Sequence, residues 1–294
     1  MKTGNEIVGF IGLGTMGNPM VANVVKGGYD VRIYDVDTER AVVIAAELGA
    51  TAVSDPKDLR VCTVTVLMLP TSAIVRSVLV AEHGSARIPF GPGAIVIDMS
   101  SSDPNETVET GRALAEHGIL MVDAPVSGGR ERAIAGTLAI MLGTDDDDAA
   151  DRATPIIDTM SRSIYRTGKL GTGHAMKALN NFVAGAAFVA ASEALVAGER
   201  FGLDPQVMVD VFNDSTGQSF TTTHVLGPHV VQRQFASGFA LPLITKDVRI
   251  ARELQRSVGH EAPVCDATTQ ALEDALESLG GVDHTQAYAF WEQR

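Results

Sequence analysis

The stretch IVGFIGLGTMG, residues 7–17, decides how this chain folds. Its first five residues form a short apolar run with β-branched side chains, the composition of a strand. Its last six, Gly12-Leu13-Gly14-Thr15-Met16-Gly17, form a glycine turn. Beyond the turn, Met20, Val21, Val24 and Val25 recur at helical spacing until Gly27-Gly28 stops them. A strand that feeds a glycine turn and then a helix is the context a dinucleotide fingerprint requires. Gly12 permits the tight turn, Gly14 lets a pyrophosphate approach the backbone, and Gly17 lets helix and strand pack closely. The helix terminus offers free N–H groups and a partial positive charge to the phosphates. A second strand, residues 31–34, ends in Asp35. A carboxylate there accepts hydrogen bonds from ribose hydroxyls and repels a 2′-phosphate. Asp37 adds to the repulsion and Arg40 offsets part of it, so NAD is expected in preference to NADP.

The alternation continues. Apolar strands are predicted at 50–53, 61–69, 94–99, 119–123, 137–142 and 163–167, separated by helical stretches that include 71–82, 105–117 and 146–160. About eight strands alternating with helices predict a doubly wound α/β sheet, whose ligands gather at the carboxyl ends of the strands. Leu69-Pro70-Thr71, Ser100-Ser101-Ser102 and residues 123–129 fall at those ends. The segment Asp123-Ala124-Pro125-Val126-Ser127-Gly128-Gly129 would make a small nest of N–H donors with one hydroxyl, suited to a carboxylate. An ordinary strand-to-helix turn reads the same way. The acid run Asp145–Asp148 suits a helix start on a solvated surface better than a metal site, and no metal is expected.

Past residue 167 the strand pattern stops. Residues 204–212, 221–235, 245–258 and 262–278 read as helices, and residues 283–291 as a docked terminal segment. The chain therefore divides into a dinucleotide-binding domain, 1–166, and an all-helical domain, 167–294. The second opens with GTGHAMKALNNFVAGAAFVAASEALVAGE, residues 171–199, apolar on every side from 178 to 192. A helix of that kind belongs inside a protein, and its uncharged run falls short of the ~20 residues a membrane span needs. Lys177 stands at its start, with Asn180 and Asn181 three and four positions on, along one face. Either Lys177 snorkels to solvent and the asparagines serve backbone, or the amine has work to do.

Composition limits the partners. A net charge of -13 over 294 residues argues against nucleic acid and anionic membrane surfaces. The two cysteines, Cys62 and Cys265, have no metal-ligand spacing. Reduced thiols and the absence of an apolar leader in MKTGNEIVGFIG make a cytoplasmic location the expectation.

Four separated stretches resemble one family, the β-hydroxyacid dehydrogenases, which includes hydroxyisobutyrate, tartronate semialdehyde and threonate dehydrogenases or reductases. They are GFIGLGTMGNPMVANV (9–24), DAPVSGG (123–129), GTGHAMKALNN (171–181) and GFALPLITKDVRIA (238–251). The resemblance implies a Rossmann domain followed by a helical domain of the 6-phosphogluconate dehydrogenase C-terminal type, in a homodimer or homotetramer. It implies that Lys177 is the catalytic lysine, Asn181 a substrate contact with Asn180 beside it, and Ser127, Gly128 and Gly129 the carboxylate loop. Gly12, Leu13, Gly14, Thr15, Met16, Gly17, Asp35, Leu69, Pro70 and Ser101 would line the cofactor, with Lys246 reaching it from the helical domain. The family more often has threonine where Ser101 stands. The implied activity is hydride transfer between NAD and a small β-hydroxy acid, or the matching semialdehyde in reverse, with Lys177 as general acid and base. Alternatives are an NADP-dependent semialdehyde reductase, an imine reductase, or a non-catalytic cofactor-binding protein; the last two tend to lack the lysine. Arg130 and Arg132 follow the carboxylate loop, as a second cation for a doubly acidic substrate or as a solvated helix face.

Overall fold

The computed structural model describes residues 6–294. Its contacts separate two compact units, Met1–Lys177 and Ala178–Arg294. In the first, the chain runs β1 (Ile7–Ile11), α1 (Gly17–Lys26), β2 (Asp30–Tyr34), α2 (Thr38–Leu48), β3 (Thr51–Ala52) and β4 (Val64–Leu67). It continues through α3 (Ser72–Leu79), β5 (Ile95–Asp98), α4 (Pro104–Ala115), β6 (Leu120–Asp123), β7 (Val126–Ser127) and α5 (Gly129–Ala135). Then come β8 (Leu138–Gly143), α6 (Asp147–Asp158), β9 (Ser161–Gly168) and the start of α7 (Thr172–Phe201).

The strand order is β3-β2-β1-β4-β5-β6-β8-β7, with β9 paired to β8. From β3 to β6 every pairing is parallel. The order reverses between β1 and β4, which is where a doubly wound sheet opens a ligand crevice. Alternate residues of the central strands serve opposite faces. Val64, Val66, Ile95 and Ile97 pack with Met20 and Val24 of α1 and Ile156 of α6. Leu67 and Val96 pack with Val75 and Leu79 of α3 and Leu114 of α4. Burying each such side chain is worth roughly 1.5–3 kcal/mol before entropy, which is why near-continuous apolar runs end up as central parallel strands.

Two sequence expectations change here. The run predicted at 61–69 is strand only over Val64–Leu67, because Pro56–Val61 forms a 3₁₀ turn capped by Asp55. The two-residue β7, antiparallel to β8, was not foreseen; it is too short to show alternation. The acid run is accounted for by α6, where Asp146 accepts the Ala149 N–H at 2.7 Å and Asp147 and Asp148 fill the first turn.

The second unit holds the rest of α7 with α8 (Pro205–Asp214), a π-helix (Thr222–Val231), α9 (Leu241–Ser257), α10 (Pro263–Leu279), a 3₁₀ turn (His284–Gln286) and α11 (Ala287–Glu292). Its core gathers Phe188, Leu195, Leu226, Leu241, Val248, Leu272 and Tyr288. The helix predicted at 221–235 is thus the wider π form, shown by the Gln232 N–H on Gly227 O. Pro228 gives a reason, since its ring would strike the carbonyl four residues back in an α-helix.

Burial of α7 on all sides is corrected. Ala178, Phe188, Val189, Leu195 and Val196 are in the core. Val183 is 64% exposed, Phe201 is 87% exposed, and Ala190, Ala194 and Ala197 between them are exposed too. These positions follow at spacings of seven, four, three and four residues, so they form one seam along the helix. At 30 residues α7 also has the length and composition of a span, although 44% of its most apolar window is already packed in protein.

Candidate active site

Because β1 to β6 are parallel, the segments leaving them emerge along one edge of the sheet: Gly12 after β1, Asp35 after β2, Leu69-Pro70 after β4, Ser101 after β5, and Ser127 through β7 after β6. Gly12 has φ +96°, and a Cβ there would collide with Met68 O; a Cβ on Gly17 would collide with Gly12 O. These two glycines are demanded by the turn itself. At Gly14 a Cβ would meet nothing within 4 Å, so the fold has no use of its own for that bare backbone. Asp35 is buried and holds the turn, its Oδ2 accepting the Leu13 N–H at 2.7 Å and its Oδ1 the Asp37 N–H at 2.9 Å. Arg40 lies against both acids, 2.9 Å from Asp37 Oδ2 and 3.8 Å from Asp35 Oδ2.

Helix caps set two of the helix starts apart from the others. In the first unit α2, α3, α4 and α6 each have a side-chain cap, from Asp37, Thr71, Asp103 and Asp146. Helices α1 and α5 have none. They are the two that follow the Gly12-to-Gly17 turn and the Ser127-Gly128-Gly129 loop. A helix start whose N–H groups are left unserved is a ready anion site. Thr15 and Gly14 at the first are exposed, and the residues present fit a dinucleotide.

Helix α7 is capped from a distance. Asp123, at the end of β6, accepts the Gly171 N–H on Oδ1 and the His174 N–H on Oδ2, both at 2.7 Å. Gly171 takes φ +91°, and a Cβ on Gly173 would collide with Met141 O of β8. The G-T-G-H spacing therefore seats the first turn of α7 on the strand ends, with half-buried Lys177 in the turn that follows. The His174 ring sits beneath, Nδ1 2.8 Å from Thr107 Oγ1 and Nε2 3.0 Å from Ser100 O. Burial pushes the Asp123 carboxyl above the usual carboxylate range, against the pull of His174 and the two N–H groups.

In the second unit Asn181 is buried and donates from Nδ2 to Asp247 Oδ2 at 2.6 Å. Asn180 is exposed and donates to Asn181 Oδ1 at 3.1 Å. Lys246 Nζ lies 3.2 Å from the other Asp247 oxygen. The first unit thus gathers residues Gly12 to Gly17, Asp35, Leu69, Pro70, Ser101, the Ser127 loop and Lys177; the second gathers Asn180, Asn181 and Lys246. Sequence reasoning missed Asp98, His174 and Asp247. Only Asp98 left a local signal, as the one charge in the apolar run of β5; Asp247 sits among the other charges of α9, and His174 beside the glycines that open α7.

The sequence profile for the NAD binding domain of 6-phosphogluconate dehydrogenase matches residues 7–168. That for the NAD-binding domain of NADP-dependent 3-hydroxyisobutyrate dehydrogenase matches residues 171–291. The chain is 32% identical to 2-(hydroxymethyl)glutarate dehydrogenase of Eubacterium barkeri, over 97% of this chain and 95% of that one. It is 36% identical to a probable 3-hydroxyisobutyrate dehydrogenase of Mycobacterium tuberculosis, over 87% of this chain and 88% of the relative. The solved structure of the M. tuberculosis 3-hydroxyisobutyrate dehydrogenase with L-serine superposes with a TM-score of 0.88 at 30% identity, covering 97% of this chain and 99% of that one. A Rossmann sheet, a helical second unit and this similarity along nearly the whole chain agree: the protein belongs to the β-hydroxyacid dehydrogenases of 3-hydroxyisobutyrate dehydrogenase type and is an NAD(P)-dependent oxidoreductase acting on the hydroxyl of hydroxy acids.

Proposed function

We propose that the protein uses NAD rather than NADP to oxidise a small β-hydroxy acid of the 3-hydroxyisobutyrate kind, or to reduce the matching semialdehyde, with Lys177 as the acid–base group. The observation that carries this reading is the seating of Lys177 one turn into a helix docked on the strand ends that bear the phosphate turn and the Ser127 loop. When bound, the nicotinamide takes up or returns the hydride of the carbinol carbon. The alcohol proton goes to the neutral Lys177 amine; in the reverse direction its ammonium donates that proton to the developing alkoxide. Lysine suits both directions because its affinity for the proton responds to its surroundings. The Ser127 hydroxyl and the N–H groups of Gly128 and Gly129 hold the carboxylate, and Asn181, one turn beyond Lys177, holds a substrate oxygen, so the reacting carbon is presented in one pose. Ser101 lines the cofactor.

Lys177→Ala should lower kcat by a factor on the order of 10²–10⁴, the usual share of positioned acid–base catalysis. Undiminished turnover with normal cofactor affinity would remove the lysine from the mechanism, and with it the argument against an imine reductase or a non-catalytic protein.

A doubly acidic substrate is a second reading favoured by one observation. Arg132 packs its stem over the loop, its Cδ 2.5 Å from where a Cβ on Gly128 would stand. Neither Arg132 nor Arg130 enters an ion pair among the described residues. A relative named for 2-(hydroxymethyl)glutarate, itself a dicarboxylate, agrees with it. Arg132→Gln should then lower kcat/KM about tenfold for the hydroxy acid with a second carboxylate, a charged hydrogen bond's worth, and leave the monoacid unaffected. Equal losses on both would leave the arginine a solvated residue.

The exposed seam of α7 supports a homodimer or homotetramer, a second copy covering Val183, Ala190, Ala194 and Phe201. A monomer mass by light scattering would overturn that. The cytoplasm is the proposed location.

A further inference from the structure

We infer that His174 and Asp123, backed by Asp98, are positioning residues that fix Lys177 relative to the wall of the dinucleotide crevice. The inference rests on the acid–base reading of Lys177.

Asp98, Asp123 and His174 are 0%, 0% and 1% exposed, all inside the first unit. Burying titratable groups is costly, and a helix needs no such cluster to begin. Helices α2, α4 and α6 start on a single local aspartate. What the cluster provides that a local cap does not is connection. Asp98 Oδ1 accepts the Ser100 N–H at 3.0 Å, and its Oδ2 accepts the Ser102 hydroxyl at 2.8 Å. Ser100 Oγ accepts the Leu69 N–H at 2.9 Å, and Ser100 O faces His174 Nε2. The His174 backbone N–H goes to Asp123, which also takes Gly171. One buried chain of hydrogen bonds thus runs from Leu69, in the wall predicted to line the dinucleotide, through Ser100 and His174 to the turn that precedes Lys177.

The ring itself is held in one state of attachment. A carbonyl only accepts, so Nε2 carries a hydrogen; Nδ1 and the Thr107 hydroxyl share another. The carboxylates facing the ring are Asp98 Oδ2, 3.8 Å from Nε2, and Asp123 Oδ2, 3.7 Å from Nδ1. Lys177 stands three residues on, the same-face neighbour of His174 on α7. A tilt or slide of this first turn therefore passes directly to the amine, and a displacement of about 1 Å can cost a factor of about 10² in rate.

The test is a set of variants of the full-length enzyme, read as kcat, KM, NAD dissociation constant, melting temperature and the pH limb of kcat that Lys177→Ala abolishes. His174→Leu should lower kcat by about 10² and displace that limb, with NAD affinity kept. His174→Gln, whose amide can donate to Ser100 O, should recover most of both. An unchanged kcat in His174→Leu overturns the inference. So does a kcat that falls only in step with melting temperature and NAD affinity, to the same depth in Leu and Gln. Should His174→Leu fail to fold, Thr107→Val removes the Nδ1 partner, together with the Thr107 hydroxyl's bond to Asp103 O at the start of α4; a several-fold loss of kcat with NAD affinity kept supports the inference, and no change overturns it. Lys177→Ala separates the two readings. Full turnover in that variant sinks the acid–base role itself, whereas an inactive Lys177→Ala beside a normal His174→Leu sinks only the positioning role.

Discussion

The start of α1 and the start of α7 are built alike and used in opposite ways. Each follows a strand, turns at a glycine with positive φ, and packs a second glycine against a backbone carbonyl: Gly12 and Gly17 in one, Gly171 and Gly173 in the other. Each is steadied by an aspartate from a strand end, Asp35 on the Leu13 N–H and Asp123 on the Gly171 and His174 N–H groups. They differ in what stands before the helix. At α1 the aspartate grips the turn and leaves the N–H groups beyond it uncapped, with open space over Gly14. At α7 the carboxylate itself occupies the terminus. An open helix start attracts an anion from outside; a filled one is locked, and what it locks here is the turn that leads into Lys177.

The comparison is broken most severely at the packed glycines. Gly17→Ala and Gly173→Ala should each destabilise the first unit by about 1–3 kcal/mol or more, since a Cβ would meet backbone oxygen that cannot swing aside. Gly14→Ala sharpens the contrast, for its Cβ meets no protein atom. Its melting temperature should match the parent while NAD binding weakens, and an equal drop in melting temperature for all three variants would show that the two turns are not distinguished by openness.

How far the sequence exposed this pair follows from the range of the interactions. The α1 turn was legible because its strand, glycines and helix are contiguous. That Lys177 and Asn181 share one helix was legible because a separation of four is a helical neighbour. The cap on α7 was not, since Asp123 and His174 are 51 positions apart and nothing local marks them as partners. Asp247 was hidden in the same way, 66 positions from Asn181. Residues 222–231 read as an ordinary helix because ten residues hardly separate the π period from 3.6 per turn. The seam on α7 was invisible for another reason: an all-apolar helix does not say which side its own chain covers.

A smaller effect is expected at Asp35, the residue proposed to meet the ribose. Asp35→Asn keeps one oxygen for either the Leu13 or the Asp37 N–H and loses the charge that repels a 2′-phosphate, and Arg40 then stands freer to attract one. NAD should weaken by about tenfold, one charged hydrogen bond's worth, and the gap between NAD and NADP should narrow. Equal binding of the two cofactors by the unmutated protein would contradict the assignment of Asp35.

The smallest effect concerns the charge that fills α7. Burial raises the Asp123 carboxyl above its ordinary value, so the folded protein holds that proton more tightly than the unfolded chain does. A raised value means that the stability linked to Asp123 is fully present below the unfolded carboxylate value of about 3.9 and is lost as pH rises through the folded one. Asparagine has no such dependence. The melting temperature of the parent minus that of Asp123→Asn should therefore shrink as pH climbs through this window and stay level beyond it. The catalytic effect runs the other way, because the hydroxyl oxygen of a protonated Asp123 accepts its N–H more weakly than a carboxylate oxygen does, so kcat should fall on acidification while this stability term improves. A difference that grew with pH instead would mean that the N–H groups and His174 outweigh burial at Asp123, and the locked terminus would then be held by its charge rather than despite it.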